Sequence, residues 1–375
     1  MGARDKYRKG SPTLTRSDID AAAGGRPAPR PRVFEPILWA GVLAATGLAV
    51  WIAAGQAAKP GFGPDFFTLW DAAQGSAAAA YRFDVSPGHS LPFVYPPPLL
   101  LFLAPLKGAP RTEAYLIWVA LSVGAFTAAA SVLARRLAPL LVICLPVVFA
   151  AVTGQTSLLL GAAILCGLWQ ARRPWLAGIL LGAALCIKPQ LLFLLPAGLL
   201  AARAWRVLLF TGLAAAALCL ASAAVFGLEA WREWLAILPQ HQAWEAQKHL
   251  QSVSLAPHAG LLLRAVLVAA GCAATAVAFL KDDLALRLTA VVTASMLCAP
   301  HAMPYDLAVA APAALAAMAE LSLLSPAGLA LFAGAVSTPW ALLAYAVVWA
   351  PPVSAPLRKI RFSWRPVRAG TVLQR

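Results

Sequence analysis

The sequence predicts an all-α polytopic membrane protein with about 10–13 transmembrane helices. Three observations carry this. Hydrophobic residues make up 61% of the 375 and charged residues only 12%, with a mean hydropathy of +0.74. A soluble domain has about 45–50% apolar and about 25% charged residues, so a soluble globular enzyme and a disordered chain are both excluded. The apolar residues gather into long runs separated by short polar joints, and the positive charge collects at the two ends of the chain.

The first 36 residues hold eight basic and four acidic side chains, and the last 21 hold six basic and none acidic, so the tails carry +10 of the net +15. Positive charge flanking apolar spans marks cytoplasmic ends and attracts anionic headgroups; nucleic acid is not the expected partner. Residues 1–35 are rich in Arg, Pro and Gly and lack an apolar core. They read as a disordered basic cytoplasmic tail rather than a cleaved signal, so the first span, Ile37–Ala57, is expected to stay. Residues 353–375 read as a second basic cytoplasmic tail.

Between the tails, apolar runs fall at 37–57, 97–106, 114–134, 137–152, 157–171, 174–187, 190–203, 206–226, 259–280, 284–299, 305–321 and 327–350. Several are short and interrupted by Pro or Gly, as where helices break around a cavity. Two polar stretches, 58–96 and 227–258, each carry a net charge of −1 and are read as extracytoplasmic loops, since loops poor in Lys and Arg lie preferentially on that side. The Arg135-Arg136, Arg172-Arg173 and Arg203–Arg206 joints read as cytoplasmic. If every run spans, the two long loops fall on opposite sides, so at least one run between 97 and 171 must be broken or re-entrant. No internal repeat is visible. The six Cys lie in or beside apolar runs with no CxxC pair, which reads as small core residues.

From Ala114 to Leu228 the chain has no Asp or Glu. Any carboxylate base must come from one of the two loops or from the C-terminal third. Asp65 follows the first span among aromatic residues, where partial desolvation raises basicity; a helix start at Gly63-Pro64-Asp65 is the competing reading. Asp71 reads as a solvated helix position. Tyr95 opens Tyr95-Pro96-Pro97-Pro98, and Pro there suits a helix start. Gly154-Gln155-Thr156-Ser157 joins two runs and offers an amide and two hydroxyls, for a sugar or for a cap. Lys188 stands between two apolar runs with no acid near it in sequence. A phosphate is one partner for it and snorkelling to an interface the alternative. The second loop carries Trp231, Trp234 and Trp244 with His241, His249 and His258, and no compact metal spacing. Gln251 and Ser252 follow and are polar enough to line a site. His301, Tyr305 and Asp306 cluster between two late runs; His301 suits a phosphate or acid–base work, and Asp306 equally suits a cap.

Taken in order, these residues resemble a family: Pro64-Asp65-Phe66-Phe67 after the first span, Tyr81 and Asp84, Tyr95-Pro96-Pro97-Pro98, Pro105-Leu106, Gly154-Gln155, Ala177-Gly178-Ile179-Leu180 leading to Ile187-Lys188-Pro189, Arg203-Ala204-Trp205-Arg206, Gln251-Ser252, and Pro300-His301 before Tyr305-Asp306. The chain resembles glycosyltransferase family 87, the polyprenol-phosphate-mannose-dependent mannosyltransferase-like group of the GT-C superfamily, over about 35–350. The resemblance implies a GT-C type bundle over 36–352 with an extracytoplasmic active site, in a bacterial plasma membrane. It implies a polyprenyl-phosphate sugar donor, with mannose as the sugar, and a lipid or glycan acceptor. It implies Asp65 as the catalytic base and His301 near the donor phosphate, with Lys188, Gln155, Tyr95, Gln251 and Ser252 as donor or acceptor contacts. No cofactor and no metal is expected, because a lipid phosphate is already a good anionic leaving group. A transporter or lipid flippase, and a non-catalytic relative, are the competing classes.

Overall fold

The computed structural model describes residues 34–58, 65–85, 92–247, 253–255 and 260–320. The chain divides into two units, 1–37 and 38–375; of the first, only residues 34–37, the opening turn of a helix, are described. The tails expected over 1–35 and 353–375, apart from Phe34 and Glu35, and the run at 327–350 lie outside the described residues. So do Gln251, Ser252, His249 and His258.

Among the described residues all regular secondary structure is helical, with no strand. Helix α1 spans Phe34–Ala57, α2 Asp65–Gln74, α3 Ala77–Ala80, α4 Pro98–Leu103 and α5 Arg111–Ala134. A 3-10 segment, Arg135–Ile143, leads to α6 (Leu145–Thr153) and α7 (Ser157–Trp169). Then come α8 (Pro174–Ile187), α9 (Leu195–Ala201), α10 (Trp205–Gln247), α11 (Leu261–Phe279) and α12 (Leu284–Cys298). A 3-10 turn at Pro304–Ala310 runs into α13, Ala311–Glu320.

Four segments are long and apolar enough to cross a membrane: Pro36–Ala57, Arg111–Ile143, Trp205–Trp244 and Leu261–Phe279. A fifth arises if α6 and α7, bent by 120° against each other, count as one broken or re-entrant span. This bent pair falls within 97–171, the range where charge parity called for a broken or re-entrant run. The other apolar runs are cut shorter by their own sequence. α8 ends at Ile187 because Lys188-Pro189 follows, and a residue before Pro is driven out of the helical region. α12 is bounded by the Asp283 side chain, which accepts from the Leu286 N–H at 2.9 Å, and by Ala299-Pro300. Large apolar side chains stand outward on α1, α10 and α11, among them Leu43, Trp51, Leu220 and Leu261. In water such a surface would associate; against lipid it is the expected exterior.

The stretch 227–247 is not irregular. It continues α10 beyond a kink at Gly227, whose φ of 78° and ψ of 163° are non-helical. Ala230 and Ile237 are buried and Trp234 half-buried, a spacing of four and three residues that gives this half one inward face. The Trp234 indole N–H donates to the Val94 carbonyl at 3.0 Å, which ties this helix to the chain just before Tyr95.

α8 packs along α10 through a small-residue stripe, Gly178-Ile179-Leu180-Leu181-Gly182. A Cβ at Gly178 would lie 2.3 Å from the Phe210 Cβ, and one at Gly182 2.7 Å from the Thr211 carbonyl oxygen. Hydrogens at both positions let the two backbones approach closely, and this contact sets where α8 delivers Lys188. Gly178→Val is therefore expected to lower the thermal midpoint in detergent, an overpacking cost of about 1–3 kcal/mol. A midpoint equal to the parent's would show that the helices do not meet there.

Candidate active site

Asp65 opens α2, a helix held in place by aromatic packing. Phe66 and Phe67 are buried against Tyr115 of α5, with ring centroids at 5.6 and 6.0 Å. At the far end of α2, the Gln74 amide donates to the Leu106 carbonyl at 2.9 Å and accepts from the Gly108 N–H at 2.8 Å. The Trp70 indole N–H donates to the Ala109 carbonyl at 2.9 Å. Asp65 is thus a helix-start residue, as one reading held, and its half-buried carboxylate also points at a partner across the bundle. Asp71, on the same helix, is exposed.

That partner is on the α6–α7 elbow. α6 ends at Gly154, whose φ of 69° is left-handed. A Cβ there would lie 2.5 Å from the Phe66 Cβ, so glycine is needed both for the turn and for the approach of α2. The next residue, Gln155, is 4% exposed. Its amide nitrogen donates to Asp65 Oδ2, and its Oε1 accepts from the Tyr95 hydroxyl at 2.8 Å. Tyr95 is itself held by the Tyr81 hydroxyl, which donates to its carbonyl at 3.0 Å.

Burial is the main influence on the Asp65 carboxyl and pushes its pKa above the usual carboxylate value of 3.8. The Gln155 hydrogen bond and the Lys188 charge oppose that rise, and the Asp306 charge adds to it. The result is a carboxylate more basic than one in water, held by an uncharged donor.

Lys188 does not snorkel to an interface; it is buried and paired with Asp306. The residue is 3% exposed, and its Nζ lies 2.5 Å from Oδ1 of Asp306, which is 0% exposed. The two are 118 residues apart in sequence; a bare ammonium among apolar helices is costly enough to recruit an acid that the fold brings there. Ser157, the first residue of α7, donates to Asp306 Oδ1 at 2.5 Å and accepts from Lys188 at 3.0 Å. The Lys188 ammonium also lies 4.9 Å from the Tyr305 ring centroid and 5.9 Å from that of Tyr95. Asp306 does cap as well: its Oδ2 accepts the Met303 N–H at 3.3 Å.

His301 is half-buried in the turn between α12 and the 304–310 segment. Its ring centroid lies 6.0 Å from that of His241 on α10. The returning residues 253–255 run beside it: Val253 N–H donates to the Ala302 carbonyl at 2.9 Å and Leu255 N–H to the Leu297 carbonyl at 3.0 Å. Among the described residues no three His, Cys, Asp or Glu side chains come together as a metal ion would need.

The structure thus brings Asp65, Tyr95, Gln155 and Lys188 into one polar cluster and adds Ser157 and Asp306 to it. Part of the signal for Asp306 lay in the sequence, since a Lys in an acid-free stretch calls for an acid from elsewhere; nothing in the sequence pointed to Ser157 as the bridge.

The model of glycosyltransferase family 87 matches residues 93–326. That range holds Tyr95, Gln155, Ser157, Lys188, His301 and Asp306; Asp65 precedes it. Searches of curated proteins and of solved structures found no match. The family match covers more than half of the 375 residues and falls on a chain with several membrane-spanning helices. The protein therefore belongs to glycosyltransferase family 87 and is a multi-pass membrane glycosyltransferase.

Proposed function

We propose that the protein transfers a sugar, mannose, from a polyprenyl-phosphate donor to a lipid or glycan acceptor at the extracytoplasmic face of a bacterial plasma membrane. The observation that carries this reading is the Asp65 carboxylate, desolvated and held by Gln155 at the apex of the bent α6–α7 pair. An acceptor hydroxyl attacks the anomeric carbon as Asp65 takes its proton. The new bond is carbon to acceptor oxygen; the bond that breaks is carbon to phosphate oxygen, and its electrons leave with the polyprenyl phosphate. A single displacement inverts the anomeric centre.

The departing phosphate needs electrostatic stabilisation more than it needs a proton. His301 supplies that in this reading, with Tyr95 and Gln155 as sugar contacts and Gln251 and Ser252 as further donor contacts. Lys188, already neutralised by Asp306, contributes as part of the site's wall.

The test is transfer of label from polyprenyl-phosphate sugars into the lipid and glycan fractions of membranes containing the protein. Expected is incorporation from the mannosyl donor, with inverted anomeric configuration in the product by NMR. Incorporation only from another lipid-phosphate sugar would replace mannose. Retention of configuration would remove the single-displacement mechanism.

A further inference from the structure

The least expected group in the bundle is a buried ion pair next to the base. Lys188, Ser157 and Asp306 come from three separate elements: the end of α8, the start of α7 and the 304–310 turn. They are 3%, 0% and 0% exposed, and both charges sit on short contacts. A buried pair is weak evidence for stability, because desolvating two ions offsets most of their attraction; apolar residues of similar volume often serve as well. Its best-attested use is to fix one arrangement among several.

The place it fixes is specific. Ser157 stands two residues after Gln155, at the bend between α6 and α7. The ion pair grips the elbow at Ser157, and the elbow offers Gln155 to Asp65 and Tyr95. We propose that the Lys188–Asp306 pair, acting through Ser157, positions the base: it locks the α6–α7 elbow so that the Gln155 amide meets the Asp65 carboxylate. Lys188 and Asp306 are in this view positioning residues that need not touch substrate. The proposal rests on the reading of Asp65 as the base, and adds the means by which that base is held.

The direct charges oppose each other, the Lys188 influence being the larger. Lys188 lowers and Asp306 raises the proton affinity of Asp65, so Ser157→Ala, which keeps both charges, is the variant that separates the lock from their direct influence. Among the described residues, the other titratable groups near Asp65 or on elements packed against α2 include Tyr81, Tyr95, Lys107, Arg111, Glu113 and Tyr115. The hydroxyls of Tyr81 and Tyr115 are committed to backbone carbonyls, and Arg111 stacks on Phe67 with its guanidinium carbon 3.8 Å from the ring centroid. All six are unchanged in the variants below.

The test needs no substrate. The full-length protein is purified in lipid nanodiscs and reacted with dicyclohexylcarbodiimide, which modifies protonated carboxyl groups in apolar surroundings. Labelling of the Asp65 peptide is followed by mass spectrometry against pH. Lys188→Met/Asp306→Leu is expected to move the labelling midpoint upward by about one pH unit, because a carboxylate that loses its donor is less stabilised in the charged form. Gln155→Leu is expected to give the same shift. The triple variant is expected to move no further than Gln155→Leu, since effects that pass through one residue do not add.

A merely structural pair would lower the thermal midpoint without moving the labelling curve. An unmoved curve in the folded double variant, or shifts that add in full, overturns the proposal. Ser157→Ala keeps both charges and cuts their tie to the elbow. It is expected to shift the curve in the same direction, and decides the matter if the double variant does not fold. The outcome is separable from the catalytic reading: sugar transfer by Asp65→Asn removes the base role and leaves the labelling result standing on its own.

Discussion

Asp65→Asn is expected to lower sugar transfer by about 10²–10⁴-fold, the usual worth of a positioned general base, and to leave the folded protein intact. The change is nearly isosteric. Asn presents an amide oxygen where the carboxylate oxygen accepts from Gln155, so the elbow keeps its partner. The energetic sign also favours survival. Burial raises the Asp65 pKa above 3.8, so the charged form is disfavoured in the folded state. The contribution of Asp65 to stability therefore declines as pH rises from the unfolded value through the folded one. Above the folded pKa a desolvated charge is carried, and Asn removes it. Catalysis runs the other way. The base must be unprotonated, so the parent's rate falls as pH drops through the folded pKa, and that acid limb lies above the ordinary carboxylate range. The residual rate of Asp65→Asn is expected to lack this limb. A pH–rate profile with a thermal midpoint for each variant checks both halves; unchanged turnover removes Asp65 as the base.

The parts of the site differ in how far the sequence disclosed them. Asp65 was legible because the acid-free stretch from Ala114 to Leu228 leaves few carboxylates, and because it follows a span among aromatic rings. Gln155 was legible as a polar residue between two apolar runs. Its contact with Asp65, 90 residues away, was not, since a partner across a helical bundle leaves no periodic trace. Charge parity required a break somewhere between 97 and 171. A 120° bend falls within that range at 154–156, and the left-handed Gly154 is its local cause. Lys188 was conspicuous and its partner was not, because Asp306 also serves as a local cap and that role accounts for it without any distant contact. The second polar stretch misled in another way. Its polarity and scarcity of Lys and Arg suggested a loop, whereas residues 227–247 continue as a helix past the Gly227 kink with Ala230 and Ile237 on its buried face.

The Lys188–Asp306 pair makes the second large prediction, and it turns on removing one charge or both. Asp306→Ala leaves a buried ammonium without a counter-ion, and Lys188→Met leaves a buried carboxylate with only the Ser157 hydroxyl and the Met303 N–H. Breaking a buried pair from either side costs about 3–5 kcal/mol, so each single variant is expected to show a large fall in thermal midpoint and in folded yield. Lys188→Met/Asp306→Leu removes both charges and fills the space with apolar atoms. It is expected to recover most of that loss, since such exchanges are often neutral or stabilising. The double variant should thus be more stable than either single, a reversal that no pair of independent contacts produces. Thermal midpoints of the four proteins in one detergent decide it. Additive losses would mean that the two side chains do not share their charge in the folded protein. Recovery of stability without recovery of transfer would separate what the pair does for the fold from what it does for the base.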